Sequence, residues 1–445
     1  MFEKVLIANR GEIAVRIIRT LKEMGIKSVA VYSTADRYSP HVLMADEKIC
    51  IGPPPSPKSY MNIPFIISAA EITDADAIHP GYGFLSENPD FAQIVEECGM
   101  RFIGPAPETM RIAGDKIASK NIAKSLGIPV PSGSEEVKDI KELKKAIEIL
   151  GLPVILKASL GGGGRGMRSI YFEEEMESAF DMAMKEAESA FNSKRIYVEK
   201  FFENVKHVEV QIIGDGRGNV VHFGTRDCSI QRRHQKVIEE APFIGPPEVV
   251  EKIERDAVKI ASHLKYRGAG TVEFLYVPPD RYYFIEINAR IQVEHPVSEE
   301  VTGYDLIKEQ IISVAEERLR IKQEDVKIEG HSIEVRINAE DPETFHPTAG
   351  VIKKISLPGG PGVRIDSGIM EGNEVTPHYD PLLLKLIVKG RDRNEAIARL
   401  NRALSEIIVE GVKTNIPLIK RIIGDEEFLM GKATTNFMKR YERIG

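Results

Sequence analysis

The sequence predicts an α/β protein that starts with a parallel sheet and ends in a mixed, β-rich unit. A buried strand at residues 4–9 is followed by an amphipathic helix at 11–26 and a second strand at 28–33. This alternation is typical of a parallel sheet with helices on its faces. A strand, a glycine loop and another strand follow at 153–172. After residue 331 the pattern predicts short strands joined by Gly/Pro turns and one amphipathic helix at 395–411.

The composition is that of an ordinary globular protein and argues against several functional classes. A chain of 445 residues can form two or three domains with proper cores. The net charge of -7 and a pI near 5.9 argue against a nucleic-acid partner. No apolar run reaches the length of a membrane span, and the N-terminus lacks signal-peptide features. Cys50, Cys98 and Cys228 are too far apart for a zinc or disulfide pattern, so we expect a cytoplasmic protein.

The N-terminal third contains two candidate loops. Asn9 to Glu12 lie where a strand meets a helix N-terminus, which is a natural anion site. Asp36 lies at a distance that suits a dinucleotide fold, but Gly11 alone does not make that fingerprint, so no such cofactor is expected. The HPGYGFLSEN loop at 79–88 carries glycines that serve either turn geometry or function, and both interpretations stay open.

The glycine loop after the strand at 153–159 matches G-x-G-x-x-G in spacing but not in context. A strand-like segment follows it rather than a helix, and no Lys-Ser or Lys-Thr closes it. Bare amides in such a hairpin can close over phosphates, and Lys157 adds a positive charge beside them. The alternative is a hairpin tip without a ligand. The cost of ordering consecutive glycines favours the phosphate lid.

A long hairpin at residues 271–295 has the most informative polar pattern. A four-residue loop predicts that Val277 pairs with Tyr282 and that Glu273 therefore lies directly opposite Glu286. Opposed carboxylates destabilise a bare sheet, whereas a divalent cation between them reverses the effect. The alternative is a solvated outer face.

If the second strand stays regular, its polar residues share one face and its apolar residues the other. The polar row is Glu286, Asn288, Arg290, Gln292 and Glu294. The apolar row, expected to face a core, is Ile285, Ile287, Ile291 and Val293.

Upstream of this hairpin, the strand at 207–214 places His207, Glu209 and Gln211 on one face. A loop dense in cations is expected after the next strand and predicts an anion site. Its members are Arg226, Arg232, Arg233, His234 and Lys236.

Together these segments resemble the ATP-grasp superfamily and, within it, the biotin carboxylase family. The matching segments, in chain order, are KVLIANRGEIAVRI, HPGYGFLSEN, GDK, KASLGGGGRGMR, RDCSIQRRHQK, FIEINARIQVEHPV, EVRINAEDP and GVKTN. The resemblance implies a Rossmann-like N-terminal domain at 1–113 and an ATP-grasp domain at 114–317. It also implies a lid subdomain at about 132–203 within the latter and a β-rich C-terminal domain at 318–445.

The resemblance further implies a site for ATP with Mg²⁺ or Mn²⁺, in which two ions are expected. The implied ATP contacts are Lys116, Lys157, Gly163, Gly164, Gly166, Glu199, Lys200, Phe201, Phe202, His207, Gln231, His234, Glu273, Leu275 and Glu286. The implied metal ligands are Glu273, Glu286 and Asn288. Phe202 stands where the family often has Leu, and Ala289 where it often has Thr or Ser. Neither difference removes a charged or metal-binding group.

Bicarbonate and biotin are the other implied substrates. The implied bicarbonate contacts are Lys236, Arg290, Gln292, Val293 through its backbone, and Glu294. Glu294 would be the base, and Arg336 would stabilise the ureido oxygen of biotin. The implied catalytic set is thus Arg290, Glu294, Lys236 and Arg336.

The implied partners are other chains. The sequence contains no Met-Lys-Met biotinylation motif, so we expect biotin to arrive on a separate carrier protein, with the carboxyltransferase on a further chain. A homodimer is also implied, and the acyl acceptor is left undefined. One alternative is another ATP-grasp ligase that uses ammonia or an amino acid, for which Arg336 has no purpose. The other is a non-catalytic nucleotide-binding regulator, which would be expected to lack one of Glu273, Glu286, Lys236 or Glu294.

Overall fold

The computed structural model describes residues 1–159, 167–191, 193–233 and 235–442. Four residues of the expected ATP site lie outside these ranges: Gly163, Gly164, Gly166 and His234. Among the described helices, none has the length and apolar character needed to cross a membrane.

The N-terminal unit confirms the expected parallel sheet. Its elements are β1 (Lys4–Ile7), α1 (Gly11–Glu23), β2 (Lys27–Tyr32), α2 (Pro40–Met44), β3 (Glu47–Cys50), α3 (Ile63–Ile72), β4 (Ala77–His79), α4 (Pro89–Glu97), β5 (Arg101–Phe102) and α5 (Pro107–Gly114). The strands run in the order β3-β2-β1-β4-β5, and every neighbouring pair is parallel. The fully buried strand residues, such as Leu6 and Ile78, explain its continuous apolar pattern.

A small antiparallel sheet follows, at the place expected for the lid. Its elements are α6 (Lys116–Ser125), β6 (Gly133–Val137), α7 (Ile140–Leu150), β7 (Val154–Ala158), β8 (Met167–Ile170), α8 (Met176–Phe191) and β9 (Ile196–Lys200). The strand order is β6-β9-β7-β8. Val154, Leu156 and Val198 belong to a hydrophobic cluster that this unit forms with its own helices.

The remaining elements build one large antiparallel sheet of eight strands, two separate two-stranded sheets and the helices that accompany them. They are β10 (Lys206–Asp215), β11 (Val220–Arg232), β12 (Gln235–Ala241), α9 (Pro247–His263), β13 (Arg267–Val277), β14 (Arg281–Asn288), α10 (His295–Thr302), α11 (Leu306–Glu316), β15 (His331–Asn338), β16 (Gly350–Val351), β17 (Lys354–Ser356), β18 (Val363–Ser367), β19 (Glu374–Val375), β20 (Leu382–Gly390), α12 (Arg393–Glu406), β21 (Ile408–Glu410), α13 (Ile416–Ile423), α14 (Glu426–Leu429) and α15 (Lys439–Glu442). The eight strands of the large sheet run in the order β14-β13-β10-β11-β12-β15-β20-β18, whereas β16 pairs with β19 and β17 pairs with β21.

This sheet crosses the boundary expected at residue 318, because β12 pairs with β15 from the last third of the chain. The domain limits themselves stay a prediction. The consequence for the site is direct: residues from the central and C-terminal parts of the sequence lie on neighbouring strands of one sheet.

The predicted hairpin register is wrong at its tip and right at its carboxylates. Val277 pairs with Arg281 rather than with Tyr282, because the connecting loop has one residue fewer than expected. A bulge between Glu273 and Phe274 then shifts the register by one residue, so that Glu273 does pair with Glu286.

The expectation of one regular strand through residue 294 is also wrong. The strand β14 ends at Asn288, and residues 289–294 run irregularly into α10, where Glu294 precedes the first helical residue. The alternation of side chains between the two faces of a strand therefore does not extend to Arg290, Gln292 and Glu294. Of the four residues expected in a core, Ile287 and Ile291 are buried, whereas Ile285 and Val293 are only half-buried.

Candidate active site

The ammonium group of Lys236 is the centre of a buried polar cluster. Lys236 lies on β12, and its Nζ donates to Glu294 Oε1 at 2.7 Å, to Gln292 Oε1 at 2.9 Å and to Glu273 Oε1 at 3.2 Å. It also contacts Glu209 Oε1. Burial lowers the pKa of Lys236, but the surrounding carboxylates outweigh burial and raise it well above its usual value. Lys236 is therefore a fixed cation shared by three strands and the 289–294 segment.

His207 extends the cluster along β10. Its Nε2 lies 2.9 Å from Glu273 Oε2 and 3.2 Å from Glu209 Oε1, and its Nδ1 lies 3.0 Å from Gln231 Nε2. Burial lowers the pKa of His207, but the neighbouring carboxylates raise it to about 10. Burial raises the pKa of Glu273, yet Lys236 and His207 lower it to about 2. Glu273 is therefore ionised.

The opposed carboxylates of Glu273 and Glu286 are held by different cations. The Glu286 Oε2 atom lies 2.7 Å from Lys116 Nζ, and this lysine outweighs burial to hold the pKa of Glu286 at about 2. Asn288 Nδ2 donates to Glu273 Oε1 at 2.6 Å. Two ionised carboxylates and an amide oxygen on neighbouring strands suit a hard divalent cation. The donor set of Glu273, Glu286 and Asn288 therefore fits Mg²⁺ or Mn²⁺.

Helix α6 supplies two lysines to the same region. Asp115 caps this helix by accepting from the backbone N–H groups of Ile117 and Ala118 at 3.0 and 3.1 Å. Lys116 then opens the helix, and Lys120 lies one turn later on the same face.

Glu199 of β9 lies between two of the buried lysines. Its Oε2 is 2.9 Å from Lys157 Nζ on β7, and its Oε1 contacts Lys120. These cations outweigh burial and lower the pKa of Glu199 to about 2. Burial, together with Lys157, lowers the pKa of Lys120 to about 7 despite the nearby carboxylate. Lys120 was not among the residues predicted from sequence, although its spacing from Lys116 was a usable signal.

The segment from Lys200 to Phe202 connects the small sheet to β10. Lys200 Nζ donates to the carbonyls of Gly151 and Leu152 at 3.0 Å, so its charge is directed at the start of β7. The ring of Phe202 stacks on Tyr283 with centroids 4.8 Å apart.

Two further residues expected to frame the adenine lie close to this connection. Phe201 meets Tyr171 edge to face at 5.9 Å. Leu275 pairs across the hairpin with Tyr283, the ring on which Phe202 stacks. The expected adenine residues therefore lie at one junction between the small and large sheets.

Each oxygen of the Glu294 carboxylate accepts a hydrogen bond from a different cation. Its Oε1 meets Lys236, and its Oε2 accepts from Arg336 Nη2 at 3.0 Å. Burial raises the pKa of Glu294, but Lys236 and Arg336 outweigh it and lower that pKa. Arg336 also donates through Nε to Glu239 Oε1 at 2.6 Å, and burial raises the pKa of Glu239 to about 7. The structure thus brings the expected base and the expected biotin contact together.

Arg290 reaches the Lys236 cluster through Asn288, which donates to Glu273. Its Nε pairs with Glu87 Oε2 at 3.0 Å, and its Nη2 donates to Asn288 Oδ1 at 3.3 Å. Glu87 lies near the end of the 79–88 loop whose purpose the sequence left open, so that loop reaches the site. No sequence signal singled out Glu87.

The expected cation cluster at 226–236 is wrong as a single loop. The segment forms two paired strands, β11 and β12, which direct its members to different places. Arg226 is wholly buried and pairs with Glu209, and Arg232 pairs with Glu340 at 2.8 Å. Arg233 lies in the turn between the strands with φ of 47°. Among the described members, only Lys236 and Arg226 belong to the polar cluster: Lys236 is its centre, and Arg226 contacts it through Glu209.

Family models cover nearly the whole chain. Residues 1–110 match the model of the biotin carboxylase N-terminal domain, and residues 334–440 match that of the biotin carboxylase C-terminal domain. Residues 115–322 match the ATP binding domain of the carbamoyl-phosphate synthase L chain.

Curated relatives match from end to end. The chain is 52% identical over 446 residues to the biotin carboxylase of Haemophilus influenzae, and the match covers 99% of both chains. It is 50% identical over 446 residues to a pyruvate carboxylase subunit of Methanothermobacter thermautotrophicus, with 100% of this chain and 91% of the relative covered.

Solved structures share the fold closely. A biotin carboxylase from Campylobacter jejuni in complex with βγ-ATP superposes with a TM-score of 0.97 at 46% identity, over 99% of each chain. The biotin carboxylase domain dimer of 2-oxoglutarate carboxylase from Hydrogenobacter thermophilus, with MgADP, ADP and bicarbonate, gives 0.96 at 46% identity, over 100% of this chain and 98% of that one.

Proposed function

Because this chain belongs to the biotin carboxylase family of ATP-dependent ligases, we propose that the site around Lys236 activates bicarbonate with ATP and passes the carboxyl group to biotin. The observation that carries this proposal is the Glu294 carboxylate, held between Lys236 and Arg336 at the meeting of β12, β15 and the 289–294 segment. A base for bicarbonate and a cation for the ureido oxygen of biotin then lie side by side.

Bicarbonate activation requires deprotonation and phosphoryl transfer. Bicarbonate is a poor electrophile, so an oxygen of the anion attacks the γ-phosphorus of ATP, ADP leaves, and carboxyphosphate forms. Glu294 accepts the bicarbonate proton, since an ionised carboxylate in hydrogen-bond reach can act as a general base. Lys236, Arg290, Gln292 and the Val293 backbone hold the anion.

Carboxyl transfer follows at the same place. Carboxyphosphate breaks down to CO₂ and phosphate, the phosphate takes the N1 proton of biotin, and N1 attacks CO₂. Arg336 stabilises the negative charge that develops on the ureido oxygen. Because Arg336 contacts Glu294 directly, both half-reactions use one pocket.

Residues around the Lys236 cluster supply groups that suit the phosphates, the adenine and the metal ions. Lys116 and Lys157 neutralise phosphate charge, and Glu199 to Phe202 frame the adenine with Leu275. His207 and Gln231 complete the nucleotide contacts among the described residues. Glu273, Glu286 and Asn288 hold Mg²⁺ or Mn²⁺, which on binding offsets the charge of the reacting phosphates.

Biotin is supplied by a separate carrier protein, and a carboxyltransferase on another chain takes the carboxyl group onward. The relative from Methanothermobacter thermautotrophicus, which the chain matches nearly end to end, is named as one subunit of a pyruvate carboxylase, and this supports a role within a larger complex. The neighbouring structure solved as a domain dimer supports a homodimer.

The test is ADP release from ATP and Mg²⁺, with and without bicarbonate and with and without free biotin. We expect release that depends on bicarbonate and is stimulated by biotin. Stimulation by ammonia or an amino acid in place of biotin would instead identify a different ATP-grasp ligase. Nucleotide binding without any turnover would identify a regulator.

A further inference from the structure

Lys385 of β20 is a buried lysine to which the mechanism above gives no role. Its side chain has no exposed surface. Its Nζ donates to the carbonyl oxygen of Val293 at 2.7 Å and lies 3.3 Å from Glu12 Oε2 and 3.9 Å from Asp366 Oδ2. A charged group is costly to bury without specific partners, so these contacts define what Lys385 does.

The strand register places Lys385 directly opposite Arg336, so the two side chains share one face of the sheet. That face is turned toward α10, because Ile387 packs against Val297 and Val301 of this helix. Two adjacent cations of one sheet therefore hold two consecutive residues in front of α10. Lys385 binds the Val293 carbonyl, and Arg336 binds the Glu294 carboxylate.

Carboxylates around the pair offset the repulsion expected between neighbouring like charges. Glu12 and Asp366 lie beside Lys385, and Glu239 beside Arg336. Burial lowers the pKa of Lys385, but Glu12 and the other carboxylates outweigh it and raise that pKa. Lys385 therefore donates to Val293 as a cation, which makes a stronger bond than a neutral donor.

The segment held in this way lacks the support of a strand ladder. Residues 289–294 leave the sheet after β14, so ladder hydrogen bonds do not fix them. Their position depends on side-chain contacts such as that of His295 Nδ1 with the Gln292 carbonyl at 2.7 Å and that of Lys385 with Val293. Rotation of the 293–294 peptide would carry Glu294 away from Lys236.

We infer that Lys385 is a positioning residue, which fixes the 293–294 peptide so that the Glu294 carboxylate stays between Lys236 and Arg336. This inference rests on the proposed function for its effect on turnover. Lys385 itself does not contact the reacting atoms. Through its ion pair with Glu12, Lys385 also links the first turn of α1 to the proposed base.

The test is a set of three variants that separates the bond to Val293 from the ion pair with Glu12. Lys385→Met removes both. Glu12→Gln removes the ion pair and keeps the bond to Val293. Because Lys385→Met leaves Glu12 buried without its cation and risks misfolding, the double variant Glu12→Gln/Lys385→Met removes both charges together.

We expect Glu12→Gln to turn over within a few-fold of wild type. The two variants that lack Lys385 should lose kcat by about 100-fold, the size of effect that a displacement of about 1 Å produces. Their Kd for ATP should be unchanged, which a general loss of structure would not allow. Wild-type turnover in the double variant, or an equal loss in Glu12→Gln, would overturn the inference.

A crystal structure of the double variant tests the inference independently of activity. We expect a shifted Val293 carbonyl and loss of the contact between Glu294 and Arg336. An unmoved 293–294 peptide would refute the positioning role. If the wild-type protein showed no bicarbonate-dependent ADP release, the proposed function would fail, while this structural readout would still decide the role of Lys385.

Discussion

At the scale of single residues, the charge of Glu294 is set by its two cationic neighbours. Lys236 and Arg336 stabilise the ionised form, so the proposed base carries its charge at neutral pH but is only weakly basic. Phosphoryl transfer compensates for a weak base, because deprotonation is coupled to bond formation at phosphorus. Lys236 and Arg336 thus each stabilise the negative charge of Glu294 and hold its carboxylate in place.

Replacing Arg336 by Met should affect biotin more than the nucleotide. The change removes the cation expected at the ureido oxygen, and loss of one such stabilising donor costs about 100- to 1000-fold in kcat. We expect biotin-stimulated ADP release to fall by that factor with an unchanged Kd for ATP. Arg232→Met is a matched control, since Arg232 is also buried and pairs with Glu340 away from Glu294. An equal loss in both variants would contradict a specific role of Arg336.

The buried Lys120 is expected to affect the affinity for the nucleotide. Together with Lys157 it neutralises Glu199, so Lys120→Met should leave that buried carboxylate with one cation fewer. We expect a Kd for ATP weakened by about 10-fold, because the lysines proposed to meet the phosphates are then drawn toward Glu199. Titration with a nucleotide measures this, with Lys124→Met on the exposed side of α6 as control. An unchanged Kd would show that Lys120 is only structural.

At the scale of elements, the hairpin of β13 and β14 shows how far the sequence pattern extends. The pairing of Glu273 with Glu286 was predicted through a loop of the wrong length, and a bulge restored it. Bulges leave no reliable mark in a single sequence. The irregular segment 289–294 was missed for a related reason: alternation of polar and apolar residues continued after the backbone had left the sheet.

The cation-rich segment was misjudged because side-chain charge is not a signal of loop structure. Arg226 is accommodated inside the sheet by Glu209 and Gln211, partners from another strand that composition alone does not reveal. By contrast, the strand and helix alternation of the first third was predicted well, because burial on both faces leaves continuous apolar runs in the sequence.

The contact of β12 with β15 and α12 predicts a pH-dependent stability. Glu240 accepts from Arg393 Nε at 2.7 Å and lies 2.8 Å from His331 Nε2, while Asp227 lies opposite it on β11 beside Lys206. Burial raises the pKa of Glu240, but His331 and Arg393 outweigh it and lower that pKa to about 2. A lowered carboxyl pKa stabilises the fold above the unfolded pKa of about 4.5, and this stability is lost as the pH falls from about 4.5 to about 2.

Glu240→Gln should therefore lower the free energy of unfolding at pH 7 by at most about 3 kcal/mol, and the difference from wild type should shrink as the pH falls below 4.5. Denaturant unfolding at about pH 7 and at about pH 3.5 measures this. A difference that stays constant between the two would contradict the assignment.

At the scale of the whole molecule, the eight-stranded sheet explains why distant motifs act together. Lys236 and Arg336 come from motifs 100 residues apart in the chain, yet they lie on the adjacent strands β12 and β15. The resemblance named both residues, but their contact with Glu294 depends on strand pairing across an expected domain boundary. Pairing between distant segments is the part of a fold that local patterns do not encode.

The proposed homodimer is a prediction for the whole molecule in solution. Sedimentation at micromolar concentration should give twice the chain mass of 49.6 kDa. A single-chain mass over the whole concentration range would contradict it.

The central claim is that Glu294 is the base for bicarbonate, and ADP release by Glu294→Gln tests it most directly. Gln keeps the size of the side chain and an acceptor for Lys236, but it cannot take a proton. We predict an unchanged Kd for ATP and no detectable bicarbonate-dependent ADP release, with Glu300→Gln, a change on the following helix, as the active control. Near-normal bicarbonate-dependent release by Glu294→Gln would contradict the account.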